Sequence, residues 1–116
     1  MTPRVEAAHL GELRHLASGG LGEVAEVTDL RLPESPEFPL VYKAFKRRPA
    51  NVISVFPLES LARLRLEMPP EQRRALDRQF CWVLRVVVDD LPGAAGVLLP
   101  KLDDTYYTKK YNSYGE

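Results

Sequence analysis

The chain has 116 residues, 45% apolar and 28% charged, which is the size of one ordinary globular domain and excludes a second full one. Sixteen Lys and Arg balance sixteen Asp and Glu, so no net field draws it to nucleic acid or to an anionic membrane. The apolar stretches at 82–88 and 94–99 fall far short of the roughly 20 residues of a membrane helix, and the opening residues lack the apolar run of a signal peptide, so a cytoplasmic chain with neither membrane nor nucleic acid as partner is expected.

Residues 10–32 carry Leu13, Leu16, Val24, Val27, Leu30 and Leu32 around the cluster Ser18-Gly19-Gly20-Leu21-Gly22. Three glycines in four positions would cost a helix interior about 3 kcal/mol, so this segment reads as two strands joined by a glycine loop. His9 and His15 read as plain surface or strand residues. The next stretch, Pro33-Glu34-Ser35-Pro36-Glu37-Phe38-Pro39, has three prolines in seven residues and reads as an exposed connection. A third strand follows at Leu40-Val41-Tyr42-Lys43-Ala44-Phe45, rich in β-branched and aromatic residues. The basic run Lys46-Arg47-Arg48 behind it reads as a solvated loop.

Over residues 58–68 the apolar positions Leu58, Leu61, Ala62 and Leu66 fall at helical spacing, with Glu59/Arg63 and Arg63/Glu67 set at i,i+4 on the other side. Pro69-Pro70 ends this helix, and because proline is tolerated in a first turn, a second can run over 71–80 with Ala75, Leu76 and Phe80 as its apolar stripe. Cys81, the one cysteine, cannot form an internal disulfide and reads as a small buried residue beside Trp82. With only two histidines beside it, no tetrahedral metal site is expected. The run Trp82-Val83-Leu84-Arg85-Val86-Val87-Val88, the turn at 89–93 and the run Ala95-Gly96-Val97-Leu98-Leu99 predict a hairpin of two buried strands. From Asp103 a polar tail holds Tyr106, Tyr107, Tyr111 and Tyr114. The expected architecture is α+β: a five-stranded antiparallel sheet with a Pro-broken helical segment between the third and fourth strands, over 1–102, followed by the tail 103–116.

This order of elements resembles the N-terminal lobe of bacterial protein-kinase-like domains, kinase or pseudokinase, over about residues 10–107. Against that family's loop pattern G-x-G-x-x-G-x-V stand Ala17-Ser18-Gly19-Gly20-Leu21-Gly22-Glu23-Val24, with alanine at the first glycine place. The family's V-A-I-K strand matches Leu40-Val41-Tyr42-Lys43, and the resemblance makes Lys43 the ammonium that meets nucleotide phosphates and pairs with a helix glutamate. A register three residues later would name Lys46. Alternation favours Lys43, which then shares a face with Val41 and Phe45. For the glutamate the resemblance offers Glu59, which opens the first helix, ahead of Glu67, which closes it. The "G-V-L-L-P" run Gly96-Val97-Leu98-Leu99-Pro100 matches the strand that feeds the hinge, so the nucleotide-facing set is Gly19, Gly20, Gly22, Val24, Val41, Lys43 and Leu99.

The base and metal-binding residues of phosphoryl transfer lie in the family's other lobe, and neither H-R-D nor D-F-G occurs in these 116 residues. The expected function is therefore a kinase N-lobe-like module acting in protein binding or regulation, not an enzyme by itself and with no catalytic residue of its own. It needs no cofactor, and ATP with magnesium is expected to bind only weakly. A protein partner or self-association is expected through the hinge edge, with Val97, Leu99 and Leu102 exposed there. Two alternatives stand beside it: the N-terminal part of a split or truncated ATP-dependent kinase whose second lobe is elsewhere, and a small α+β adaptor unrelated to kinases.

Overall fold

The computed structural model of the protein describes residues 2–20, 22–47, 50 and 52–102, so the Tyr-rich tail lies outside the described residues. In chain order the elements are β1 (Arg4–Glu6), a 3-10 turn (Ala7–His9), β2 (Leu13–Gly19), β3 (Gly22–Val27), β4 (Leu40–Phe45), α1 (Val55–Leu66), α2 (Pro70–Gln79), β5 (Arg85–Val88) and β6 (Gly96–Pro100). The strands form one sheet in the order β1-β5-β6-β4-β3-β2. Among the described residues no helix is long and apolar enough to cross a membrane.

The α+β class is as expected, but the sheet is not the five-stranded antiparallel one. It has six strands and is mixed, because β1 runs parallel to β5 with Val5 opposite Val87. The Val86 N–H donates to the Pro3 carbonyl at 2.8 Å. Three residues are too few for a period-two pattern to register, so only the tertiary pairing defines this strand. It covers the edge that β5 would otherwise leave open.

Register sorts the sheet into two faces, since paired residues share a face and neighbours along a strand alternate. Val24, Lys43 and Val97 stand in one row across β3, β4 and β6, and Val41 and Leu99 pair in the next row on the same side. Behind them lie Val27, Leu40, Tyr42 and Leu98. The larger core cluster, which includes Leu10, Leu32, Leu84, Val87 and Ala95, builds on that rear set. A smaller cluster of Ala17, Val24 and Val41, with Leu16, Leu99 and Leu102 packed against it, lies on the Lys43 side.

The helical layer departs from its predicted stripes. Of the four apolar positions expected to pack on α1 only Ala62 is fully buried, while Leu61 is exposed; at the end of α2 Phe80 is 58% exposed. Charged residues take the inner places instead. The Arg65 side chain is fully buried on α1, its guanidinium gripping Asp77 of α2 through Nε and Nη2 at 2.7 Å each. The same guanidinium donates to Glu34 Oε2 at 2.6 Å and Ser35 Oγ at 3.1 Å. Arg85 of β5 then forks onto both Glu34 oxygens at 2.8 Å. Two cations and two carboxylates thus tie both helices and β5 to the connection between β3 and β4. That connection is not the wholly exposed loop its prolines suggest, because the Glu34 side chain and Ser35 are buried in it.

Burial pushes the Glu34 carboxyl upward, but hydrogen bonds from Arg85 and Arg65 outweigh this and hold it at about 2. A carboxyl depressed on folding stabilises the protein above its unfolded value and loses that contribution as pH falls through the folded one. The stability gap between wild type and Glu34→Gln, followed by urea denaturation, is therefore expected to be constant from pH 7 to pH 5. It should then shrink by about 3 kcal/mol as pH falls from the ordinary carboxyl range towards 2.

Candidate nucleotide-facing site

The β2–β3 hairpin closes with Gly19 opposite Gly22, which leaves Gly20 in its turn. Gly22 adopts φ +147°, and a Cβ there would stand 1.9 Å from the Ala44 carbonyl oxygen. Glycine is thus required because β4 passes too close for a side chain. Gly20 differs: nothing lies within 4 Å of where its Cβ would be. At Gly20 the backbone is open to the approach of another molecule.

Behind this hairpin the sheet presents an apolar platform. Val24 and Val41 are buried in it, and Leu16, Leu99 and Leu102 are half-buried around them. Lys43 stands on the same face, half-buried, opposite Val24 on one side and Val97 on the other. Among the described residues no carboxylate lies within ion-pair distance of its ammonium. Burial pushes the Cys81 thiol up, and the Lys43 charge partly counters the rise. Residue 81 as a whole is exposed rather than buried as expected, because the chain after α2 runs extended from Phe80 instead of entering β5 at once.

Of the residues expected to join this face, Val24, Val41, Lys43 and Leu99 are brought together, with Gly19, Gly20 and Gly22 at the hairpin end. Glu59 is not. Its carboxylate is hydrogen-bonded by Arg4 and lies 3.8 Å from Arg63, and the Arg4 guanidinium holds it below the usual carboxylate range. The unforeseen β1 delivers Arg4 to α1, which leaves Lys43 without the helix partner that the resemblance implies.

The hinge expectation also needs correction. β6 lies between β5 and β4 rather than at an edge, and Val97 is only 4% exposed. Leu99 and Leu102 remain half-buried, while the large exposed apolar side chains include Phe56, Leu64 and Phe80 of the helical layer. Nor is the basic run after β4 wholly solvated. Nη1 of Arg47 donates to both Asp89 oxygens at 2.7 and 2.8 Å, and Nη2 and Nε donate to the carbonyls of Gly93 and Ala94, fastening the end of β4 to the β5–β6 turn.

Leu16 and Ala17 belong to the platform although sequence reasoning did not place them there. A break of register between His15 and Ala17 makes this so, and no residue pattern announces it. Comparison of the chain with protein-family models, with curated proteins and with solved structures returns no match. What the arrangement offers chemically is an apolar platform that suits a flat ring, an ammonium beside it for an anionic group, and an approachable backbone at the hairpin tip.

Proposed function

We propose that the chain is a protein-kinase N-lobe-like binding module, without phosphoryl transfer of its own, whose Lys43-bearing face forms one wall of a nucleotide cleft. The observation that carries this reading is the shared face of Val24, Val41, Lys43 and Leu99. The order of elements supports it as well, with a glycine hairpin before the lysine strand and two helices between that strand and the final pair. A partner supplying the opposite wall would cover Leu99 and Leu102, and Lys43, which meets no carboxylate among the described residues, suits a face that is completed from outside. The same feature favours, as a second reading, an ATP-dependent kinase whose second lobe is held elsewhere.

One wall gives little affinity, because a nucleotide on it stays largely solvated. Calorimetry with Mg·ATP on the purified chain is expected to give a dissociation constant of about 1 mM or weaker, weakened further by Lys43→Met. No phosphate should pass to the chain or to added protein, since the base and the metal-binding residues of this chemistry are missing from the sequence. Micromolar binding indifferent to Lys43→Met would overturn the reading, as would transfer of labelled phosphate that Lys43→Ala abolishes.

A further inference from the structure

On the rear face of the same hairpin three side chains stand in a relay. Ser18 Oγ lies 3.3 Å from His15 Nε2, and Nδ1 of that ring lies 3.5 Å from Glu23 Oε1. Spacing along the strand argues against such a meeting: residues 15 and 18 are an odd number apart, and in an unbroken strand they would project to opposite faces. The irregularity in β2 brings them together. His15 pairs with Ala25 and Ala17 with Val24, passing over Leu16, so one residue of β2 has no partner on β3. Ala17 and Val24 therefore turn to the Lys43 face, while His15, Ser18 and Glu23 share the other, Ser18 directly opposite Glu23. A bulge is a known device for re-aiming side chains in this way.

We propose that Ser18, His15 and Glu23 form a nucleophile, base and carboxylate triad that accepts acyl groups from small activated esters, at a site separate from the nucleotide-facing platform. The order of contacts is the one the chemistry needs. With the imidazole proton on Nδ1, towards Glu23, Nε2 is left to accept the Ser18 hydroxyl proton. Ser18 Oγ bonds to the ester carbonyl carbon as its proton passes to Nε2. The bond from that carbon to the leaving oxygen breaks, and the proton on Nε2 goes to the departing alcohol. A water molecule then attacks the acyl carbon and gives its proton to Nε2; the proton returns to Ser18 Oγ as the acid leaves. Ser18 and His15 are the catalytic residues, and Glu23 positions the ring.

The His15 and Glu23 side chains are 57% and 68% exposed, so the reactivity of the ester rather than a pocket decides which substrates react. Gly19 and Gly20 follow Ser18, and Ser18 is itself exposed, so the hydroxyl can be reached from solvent. The test is labelling of the full chain with a fluorophosphonate, whose phosphorus takes the place of the acyl carbon and whose fluoride leaves. The expected result is a single label on Ser18 by peptide mass mapping, with labelling about a hundredfold slower in His15→Ala. Glu23→Ala should slow it about fivefold, the worth of an exposed ion pair, and Glu23→Asp should restore most of the rate. All of these positions are on the surface, and unchanged thermal melts establish that each variant is folded. Absence of label, label spread over other hydroxyls, or labelling of Ser18 at an undiminished rate in His15→Ala would overturn the proposal.

Discussion

Arg65→Ala is expected to remove about 3–5 kcal/mol of folding stability, the cost of breaking a buried pair by deleting one partner. Arg65 is the only cation among the described residues that Asp77 meets within ion-pair distance, and it shares Glu34 with Arg85. Without it Asp77 stays buried with no counter-ion, and Ser35 loses its donor. A domain of this size has about 5–15 kcal/mol to lose, so the variant should be marginal near physiological temperature. Arg65→Lys should not rescue it, because an ammonium cannot span two carboxylates and a hydroxyl as the planar fork does. The double variant Arg65→Met with Asp77→Leu should lose less than the two single changes added together, since it removes a charge of each sign at once. Urea denaturation gives all of these values. A loss below about 1 kcal/mol for Arg65→Ala would show that the network behaves as a solvated surface pair.

Two neighbouring glycines should respond in opposite ways. Gly22→Ala sets a Cβ against the Ala44 carbonyl, which as backbone cannot step aside, and forces a side chain onto φ +147°. The expected loss is about 3 kcal/mol, combining backbone strain with overpacking. Since β3 must then move from β4, the row that holds Val24 and Lys43 should be disturbed with it. Gly20→Ala meets open space at a φ outside the left-handed region, and its effect should stay within about 0.5 kcal/mol. Thermal denaturation followed by circular dichroism separates the two. Equal losses at both positions would mean that the hairpin turn, not the approach of β4, sets the glycine requirement.

Local chemistry explains which parts of the fold were legible. The run Leu40–Phe45 announces a strand through its β-branched and aromatic residues, the glycines mark the hairpin, and Pro69-Pro70 divides the helices where α1 and α2 do divide. The face shared by Val41 and Lys43 follows from alternation alone. Features that depend on distant partners were hidden. β1 is recognisable only once β5, about eighty residues away, lies beside it. Arg65 and Asp77 are residues whose charge assigns them to solvent, and only the pairing of Arg65 with Asp77 and with Glu34 lets them sit inside. Whether Val97 is exposed depends on sheet order, which alternation does not determine, and the bulge at Leu16 has no glycine or proline to mark it.

The most direct test of the Lys43 face as a nucleotide wall is to record backbone amide shifts of the labelled chain while Mg·ATP is raised to about 10 mM, well into the range of a millimolar ligand. The shifts are predicted to concentrate at Gly19, Gly20, Gly22, Val24, Val41, Lys43 and Leu99, and to fade in Lys43→Met. Shifts centred on α1, α2 or β1, or none at saturating nucleotide, would contradict the account.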